Sequence, residues 1–137
     1  MSTTDDGGER DLASLLRSMG PVLQEGVFLF CALPPGEPVP AGLDPLLTFR
    51  EREGTTLVLR REAAQAAGFD GLFPCRQITL DVRSALDAVG LLAAVTARLA
   101  QEGISVNPVA GFHHDHLFVP AERADDAMRA LRLLAAS

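Results

Sequence analysis

The chain has 137 residues, of which 47% are hydrophobic and 22% charged, and its formal net charge at pH 7 is −6. This length and composition are typical of a globular protein with one ordinary domain or two very small ones. The acidic balance argues against nucleic-acid binding, which needs clustered basic residues to neutralise phosphates. The longest apolar runs fall short of the roughly 18 residues of a membrane span, so we expect no membrane partner.

The first ten residues, Met1 to Arg10, are polar and lack the basic and apolar regions of a secretion signal. We therefore expect a disordered tail over residues 1–10 and a cytoplasmic protein. The two cysteines, Cys31 and Cys75, both lie in apolar strand-like runs. This setting favours buried free thiols over a disulfide or a metal-binding pair.

Apolar spacing in the next segment predicts a short helix over Asp11 to Met19, ended by Gly20 and Pro21. Val27 to Leu33 is apolar throughout, which predicts a strand covered on both faces. Pro34 to Pro45 holds five prolines and two glycines, so it is expected to form a surface loop.

A hairpin and a short helix are predicted after this loop. Leu46 to Arg52 and Thr55 to Leu59 flank a Glu53-Gly54 turn, and Arg61 to Ala67 reads as an Ala-rich helix closed by Gly68. Phe69 to Pro74 is expected to link this part of the chain to the rest.

The remaining sequence predicts the order strand, helix, strand, strand, helix. The strands are Cys75 to Val82, Ile104 to Val109 and His114 to Val119; the helices run from about Val89 to Gln101 and from Pro120 towards the C-terminus. This βαββα order predicts an α+β, ferredoxin-like fold with an antiparallel sheet and helices on one face. We place an incomplete N-terminal half at residues 11–72 and a complete C-terminal half at residues 73–137.

A short pattern recurs at an offset of 60 residues, which suggests that the halves are tandem copies. Leu57-Val58-Leu59 precedes Arg60 to Ala64 as Leu117-Phe118-Val119 precedes Pro120 to Ala124. Chance is the alternative, because strand-to-helix junctions in Ala- and Leu-rich chains look alike. The first half has only the proline loop where the second has its long helix, so the Asp11 to Met19 helix is expected to fill the vacant place.

Two short motifs in the second half resemble the ACT domain, the small-molecule-sensing module of amino-acid metabolism. Asp87-Ala88-Val89-Gly90 is similar to the family's Asp-x-Pro-Gly turn, with Val89 in the place of Pro. Gly103-Ile104-Ser105-Val106 is similar to its Gly-Ile-Asn-Ile segment, with Ser105 in the place of Asn. The whole chain resembles small bacterial proteins of uncertain function that are built from two ACT-like halves.

The resemblance implies that a free amino acid or a related metabolite binds near the turn into the first helix. The expected ligand-binding residues are Ser84, Asp87, Ala88, Val89, Gly90, Asn107, His113 and His114. Backbone N–H groups at the helix start would hold a carboxylate, and Asp87 would accept from an ammonium group. Alternatively, Asp87 is the N-cap or a first-turn acid of that helix.

The long helix also carries Leu91, Ala94, Val95 and Ala97 outside its predicted inner stripe, so it is apolar around most of its circumference. A helix of this kind is usually buried on all sides, which predicts contact with a second half-domain or a second subunit, as in a homodimer. Exposed alanines, which favour helix at little cost, are the alternative.

His113-His114-Asp115-His116 is the one cluster that suggests chemistry. Two imidazoles at i and i+2 of a strand share a face, yet a zinc or nickel site needs further ligands that the sequence does not offer. A polar hairpin, or a place for His113 or His114 in the ligand pocket beside Asn107, is the favoured interpretation.

Catalytic and cofactor motifs are missing from the sequence, including phosphate loops, nucleotide fingerprints and activated nucleophiles. We therefore expect a regulatory module that binds a small molecule and is neither an enzyme nor a cofactor-binding protein. A ligand-free interaction module is the first alternative, and a small metal-dependent enzyme is the second.

Overall fold

The computed structural model describes residues 8–137. Residues 1–7, most of the predicted tail, lie outside the described residues. The helices are α1 (Leu12–Arg17), α2 (Arg61–Ala66), α3 (Leu91–Gln101) and α4 (Ala124–Ala136), with a 3-10 turn at Ala121–Arg123. The strands are β1 (Pro21–Leu23), β2 (Phe28–Leu33), β3 (Leu47–Glu51), β4 (Gly54–Arg60), β5 (Leu72–Leu80), β6 (Asn107–Ala110) and β7 (Asp115–Pro120).

All seven strands belong to one antiparallel sheet, in the order β3-β4-β2-β5-β7-β6. β1 and β2 follow one another along the same edge of β5, since Pro21 pairs with Leu80 and Phe28 pairs with Cys75. The predicted halves are therefore joined strand to strand. The predicted α+β fold, with an antiparallel sheet and helices on one face, is confirmed.

The helix-covered face of the sheet is aliphatic. Under α2, the inward residues of β2 and β4 pack on Ala64 and include Leu29 and Leu57. Under α1, α3 and α4, the core is formed by β5 and β7 with the helix residues Leu15, Leu91, Val95, Leu99 and Leu131. Burial of these side chains, at roughly 1.5–3 kcal/mol each, is the main stabilising contribution from this layer.

The opposite face of the sheet carries an aromatic cluster. Phe28 and Phe30 of β2 meet Phe118 of β7 edge to face, with ring centroids 6.4 and 5.7 Å apart. Such pairs add about 0.5–1.5 kcal/mol beyond the burial of their area. Because β2 and β7 lie on either side of β5, this cluster crosses the seam between the halves.

Three sequence predictions about these elements are wrong. Residues 72–74 were expected in a linker, but they begin β5, where Leu72 pairs with Phe30. α3 begins at Leu91 and not at Val89, and its buried residues are Leu91, Val95 and Leu99. Leu99 was expected on the inner stripe and is buried, but Leu91 and Val95, which were placed outside that stripe, are buried as well.

The short helix α1 does not take the place of a missing helix in the first half. It packs on α3 and α4, and Leu15 and Met19 belong to the aliphatic core of the second half. The chain continues from α1 through Gly20, whose φ is +53°, into β1 on the edge of β5. This pairing holds α1 above the second half and away from α2.

The recurring pattern occupies equivalent places in the two halves. Residues 57–59 of β4 and 117–119 of β7 are all buried, and each strand is followed by a helix with a buried alanine, Ala64 in α2 or Ala124 at the start of α4. Cys31 and Cys75 are buried free thiols, as predicted. Burial raises the pKa of the Cys75 thiol to about 12, so it stays protonated at neutral pH.

Within residues 8–137, none of the helices combines the length and the apolar character that a membrane crossing requires.

Candidate ligand site at the start of the long helix

The turn into α3 leaves the first helical N–H groups uncapped by a side chain. The N-cap is Gly90, whose φ of +106° is a conformation that glycine adopts without strain. Its carbonyl accepts from the N–H of Ala94 at 2.9 Å and so closes the first helical turn. Glycine has no side-chain oxygen to offer, so the N–H groups of the first turn are available to an anion.

A cavity of about 120 Å³ lies at this helix start. By liquid volume it would hold about four water molecules, at roughly 30 Å³ each, which is the scale of an amino-acid head group. It is smaller than a pocket for a drug-sized ligand. Its lining residues are Ser84, Ala85, Leu86, Ala88, Gly90, Leu91, Leu92, Ala93, Ala110 and Asp115.

Asp115 supplies the single charged side chain of this lining. It is the first residue of β7, where it pairs with Leu80 and Ala110, and the strand alternation directs it to the helix-covered face. Only 8% of its surface is exposed, and its carboxylate has no hydrogen-bond partner among residues 8–137. Burial raises the pKa of Asp115, while the nearby His116 and His114 act in the opposite direction.

Glu9, near the N-terminus, is hydrogen-bonded to the loop whose residues Ser84 and Ala85 line the cavity. Glu9 donates its N–H to the Arg83 carbonyl, and Ala85 donates to the Glu9 carbonyl, both at 2.9 Å. Glu9 thereby forms a parallel bridge with Ser84. Residues 8–10 were expected to lie in the disordered tail, but these bonds tie them to the loop that precedes α3.

Asp87 is neither the N-cap nor a first-turn acid, because α3 starts farther along the chain. Its carboxylate accepts instead from Arg10 Nε at 2.8 Å, on the exposed surface. Val89 is 82% exposed and does not line the cavity. Of the residues predicted in this turn, the structure therefore brings Ser84, Ala88 and Gly90 to the cavity.

The remaining predicted residues do not join them. Asn107 is exposed and pairs with Phe118, at the far end of the β6–β7 ladder from the loop that contains His113 and His114. His114 Nε2 lies 3.6 Å from Asp81 Oδ1, and the His113 ring lies against Phe112. The expected meeting of Asn107 with these histidines is therefore wrong.

His116 faces the opposite side of the sheet from Asp115, because neighbouring strand residues alternate. Its Nδ1 lies 3.1 Å from Gln77 Nε2 and 3.0 Å from Thr79 Oγ1, and burial lowers its pKa. His116 is thus held apart from His113 and His114, whose rings lie 6.4 Å from each other. Among residues 8–137, no group of three or more His, Cys, Asp or Glu side chains is arranged to hold a metal ion.

Sequence reasoning named Asp115 in the histidine cluster but did not assign it to the ligand site. The alternation of side chains along the strand could have indicated it. Asp115, Leu117 and Val119 lie on the same face of β7, so the acid shares a face with two core residues. Its proximity to the start of α3 depends on the pairing of β7 with β5 and β6, which the local pattern does not specify.

Comparisons with known proteins agree with this architecture. Two ACT-domain family models match the chain, one over residues 7–76 and the other over residues 72–132. A crystal structure from Vibrio cholerae, described as a protein of unknown function and possible transport protein, is 44% identical with a TM-score of 0.80. The match covers 90% of this chain and 95% of that one.

Regulatory subunits of aspartate kinase share the fold. The subunit from Thermus flavus is 14% identical, with a TM-score of 0.66 and coverage of 84% of this chain and 96% of that one. The ligand-free subunit from Thermus thermophilus is 15% identical, with a TM-score of 0.64 and coverage of 86% and 97%. The search of curated proteins finds no match. From the two family-model matches and the 44% identical structure, the chain belongs to the ACT-domain family.

Proposed function

We propose that this protein is a regulatory module without catalytic activity that binds a free amino acid or a related small zwitterion at the start of α3. Membership of the ACT-domain family supports a small-molecule-binding regulatory role. The observation that carries the proposal is the unpartnered carboxylate of Asp115 in the same cavity as the uncapped start of α3.

The helix start suits the carboxylate of such a ligand. Free N–H groups and the positive end of the helix dipole favour an anion there by about 0.3–1 kcal/mol at exposed sites and by up to about 2 kcal/mol at partly buried ones. The missing Cβ of Gly90 makes room for the Leu12 side chain of α1, which a Cβ would meet at 3.1 Å, so the role of Gly90 at the site is the positive φ that starts the helix. Ser84 donates its hydroxyl proton to the Ala85 carbonyl, so its oxygen remains able to accept a hydrogen bond.

Asp115 suits the ammonium group. The Asp115 side chain is mostly buried, which disfavours its charged form, and an ammonium ligand in the cavity would offset that cost. A simple anion would gain from the helix start but would be repelled by Asp115. The pair of groups therefore favours a zwitterion over a carboxylate alone.

A homodimer is the second part of the proposal. Leu86, Val89 and Phe112, which we call the rim, are 67%, 82% and 66% exposed. Leu86 lines the cavity, and Val89 comes directly before Gly90, which also lines it. The Phe112 ring lies 6.0 Å from the guanidinium carbon of Arg83, the residue before Ser84. Exposed large apolar side chains around one loop region are typical of a protein contact surface. A second copy placed here would close the cavity from outside.

The test is a thermal-shift screen of the proteinogenic amino acids, with propionate and ethylamine as probes that carry one charge each. A true ligand at 100 times its Kd should stabilise the folded state by about 2.7 kcal/mol, which is several degrees in Tm. Asp115→Asn should remove the shift for the amino acid. Asp70→Asn, an equal change of charge at an exposed site, should keep it.

Failure of every amino acid to shift Tm would contradict the proposal, as would an equal response of the Asp115→Asn variant. The dimer is tested separately by light scattering on the full chain. Leu86→Ser with Val89→Ser should convert a dimer into a monomer. A wild-type protein that is monomeric at high micromolar concentration would contradict the dimer without affecting the ligand.

A further inference from the structure

A second cavity of about 250 Å³ lies on the helix-free face of the sheet. Its walls are Leu46 and Leu47 at one edge strand, Val109 and Gly111 at the other, and Phe118, Gln77 and His116 between them. The side chains from β3 and β6 can share one cavity because the sheet curls, which brings its two outer strands towards each other. The cavity is thus walled by both family-matched parts of the chain.

The floor of this cavity is a polar network that crosses the sheet. Gln24, just after β1, donates its Nε2 proton to Thr79 Oγ1 at 3.1 Å. Thr79 and Gln77 on β5 both approach Nδ1 of His116 on β7. Gln77 and Thr79 are 9% and 8% exposed, whereas Gln24 and His116 are partly exposed, so the network is buried at β5 and more open at its two ends. Its members hold the imidazole in one orientation.

The network also sets the position of the imidazole proton. In this orientation of the Gln77 amide, Nε2 is the donor and His116 Nδ1 the acceptor, an arrangement that assigns the proton of the neutral ring to Nε2. His116 Nε2 has no hydrogen-bond partner among residues 8–137. A Cβ at Gly111 would lie 3.4 Å from this nitrogen, so the glycine leaves it open to approach. The cavity therefore presents one oriented donor.

Charge and size define what would bind. The seven lining residues include no Arg, Asp or Glu, and burial lowers the pKa of His116 and favours its neutral form, so an ionic ligand would lose its hydration without gaining a counter-charge. The volume corresponds to about eight water molecules at roughly 30 Å³ each. The walls are mainly apolar, and Phe118 offers a ring for aromatic contact.

We propose that this cavity is a second ligand site, which takes a small uncharged molecule with an aromatic or branched apolar body and one carbonyl or hydroxyl oxygen that accepts from His116 Nε2. The site is independent of the cavity at α3, since Asp115 and His116 face opposite sides of β7. Because its walls come from both halves, an occupant would stabilise the seam between them.

Three probes of similar size test the proposal by NMR titration of the full chain: acetophenone, ethylbenzene and benzoate. Acetophenone should shift the amide signals of Val109, Gly111, His116 and Phe118 in a saturable way. Ethylbenzene lacks the oxygen and should bind about fivefold more weakly, the factor that one ordinary hydrogen bond supplies. Benzoate carries a charge and should bind most weakly.

Two variants make the test specific. His116→Phe keeps an aromatic ring but removes the donor, so acetophenone affinity should fall to that of ethylbenzene. Val109→Trp fills the cavity from an edge strand and should abolish binding of all probes, while the amide spectrum away from β6 shows that the chain is folded. Unsaturable shifts, shifts confined to residues 84–93, equal binding of benzoate, or unchanged binding by either variant would overturn the proposal.

Discussion

The two halves of the sheet end alike but begin differently. In each half a buried strand runs directly into a helix, β4 into α2 and β7 into α4. However, the second half has α3 between β5 and β6, whereas the first half has the proline-rich segment 34–45 between β2 and β3. Proline lacks an N–H and cannot continue a helix, so this loop offers no helix start for an anion. The proposed zwitterion site therefore has no counterpart at the equivalent place in the first half.

The two halves also differ in the number of helices that pack on them. α1 comes from the N-terminal part of the chain but completes the core of the second half, beside α3 and α4. The first half keeps α2 alone over β2 and β4. Three helices therefore cover the second half of the sheet and one helix covers the first. Because the sheet is shared, we expect the stability of the first half to depend on the second.

The largest expected effect tests this dependence. Leu57→Ala in β4 and Leu117→Ala in β7 each remove a fully buried side chain, one from each core. Each should lower the free energy of unfolding by about 2–5 kcal/mol. Because one sheet joins the halves, urea unfolding followed by circular dichroism should remain a single transition in both variants.

Leu133→Ala, at an exposed position on α4, is the matched control and should change the free energy of unfolding by less than about 0.5 kcal/mol. Two separate transitions, with Leu57→Ala moving only one of them, would show that the halves unfold independently.

A smaller, pH-dependent effect is expected from Asp115, which has no counterpart in the repeated pattern of the first half. Burial raises its pKa above the ordinary 3.8, so the folded state binds the proton more tightly than the unfolded state does. Stability from this group is present below pH 3.8 and is lost as the pH rises through the raised pKa. Relative to the wild type, Asp115→Asn should therefore become more stable as the pH rises through that window.

Urea unfolding of both proteins at a series of pH values between 3 and 8 measures this difference. Subtracting the wild-type curve removes the contributions of groups that do not interact with Asp115; His116, whose pKa Asp115 raises, still contributes to the difference. A difference that does not change with pH would contradict the shifted pKa of Asp115. A saturating amino-acid ligand at neutral pH should stabilise the wild type and not the variant.

The smallest effect is expected at the surface of the same loop. Asp87→Asn weakens an exposed ion pair with Arg10 Nε, and such pairs are worth about 0.2–1 kcal/mol. The free energy of unfolding should fall by no more than that, and the loss should shrink at high salt. Amino-acid binding should persist, because Asp87 does not line the cavity. Complete loss of binding would instead favour the original assignment of Asp87 to the ligand.

The strands and helices were largely readable from local patterns, and the failures have specific causes. Val89 fits an apolar helical spacing, but Gly90 ends the preceding turn with a positive φ and moves the helix start to Leu91. Residues 72–74 include Pro74 and follow Gly71, which favoured a loop, yet pairing with β2 makes them a strand. In both places backbone geometry or tertiary pairing overrode the local signal.

The sequence identified only part of the candidate site, again because tertiary pairing brings in a residue that the local pattern does not indicate. The sequence located the turn into α3 from a family motif, and three of its predicted residues line the cavity. Asp87 was the natural acid to choose because it is adjacent in sequence. Asp115 is more than twenty residues away and reaches the cavity only through the β5–β7–β6 ladder.

By itself, the sequence determined the repeating strand-to-helix order, the antiparallel ferredoxin-like class and the membership of the ACT-domain family, because periodicity and short motifs are local properties. Only the tertiary structure decided which half receives α1, which acid faces the start of α3, and that His116 points into a separate cavity between two edge strands. These outcomes depend on strand register and sheet curvature, which arise from packing among distant segments and leave no signal in any one stretch of the chain.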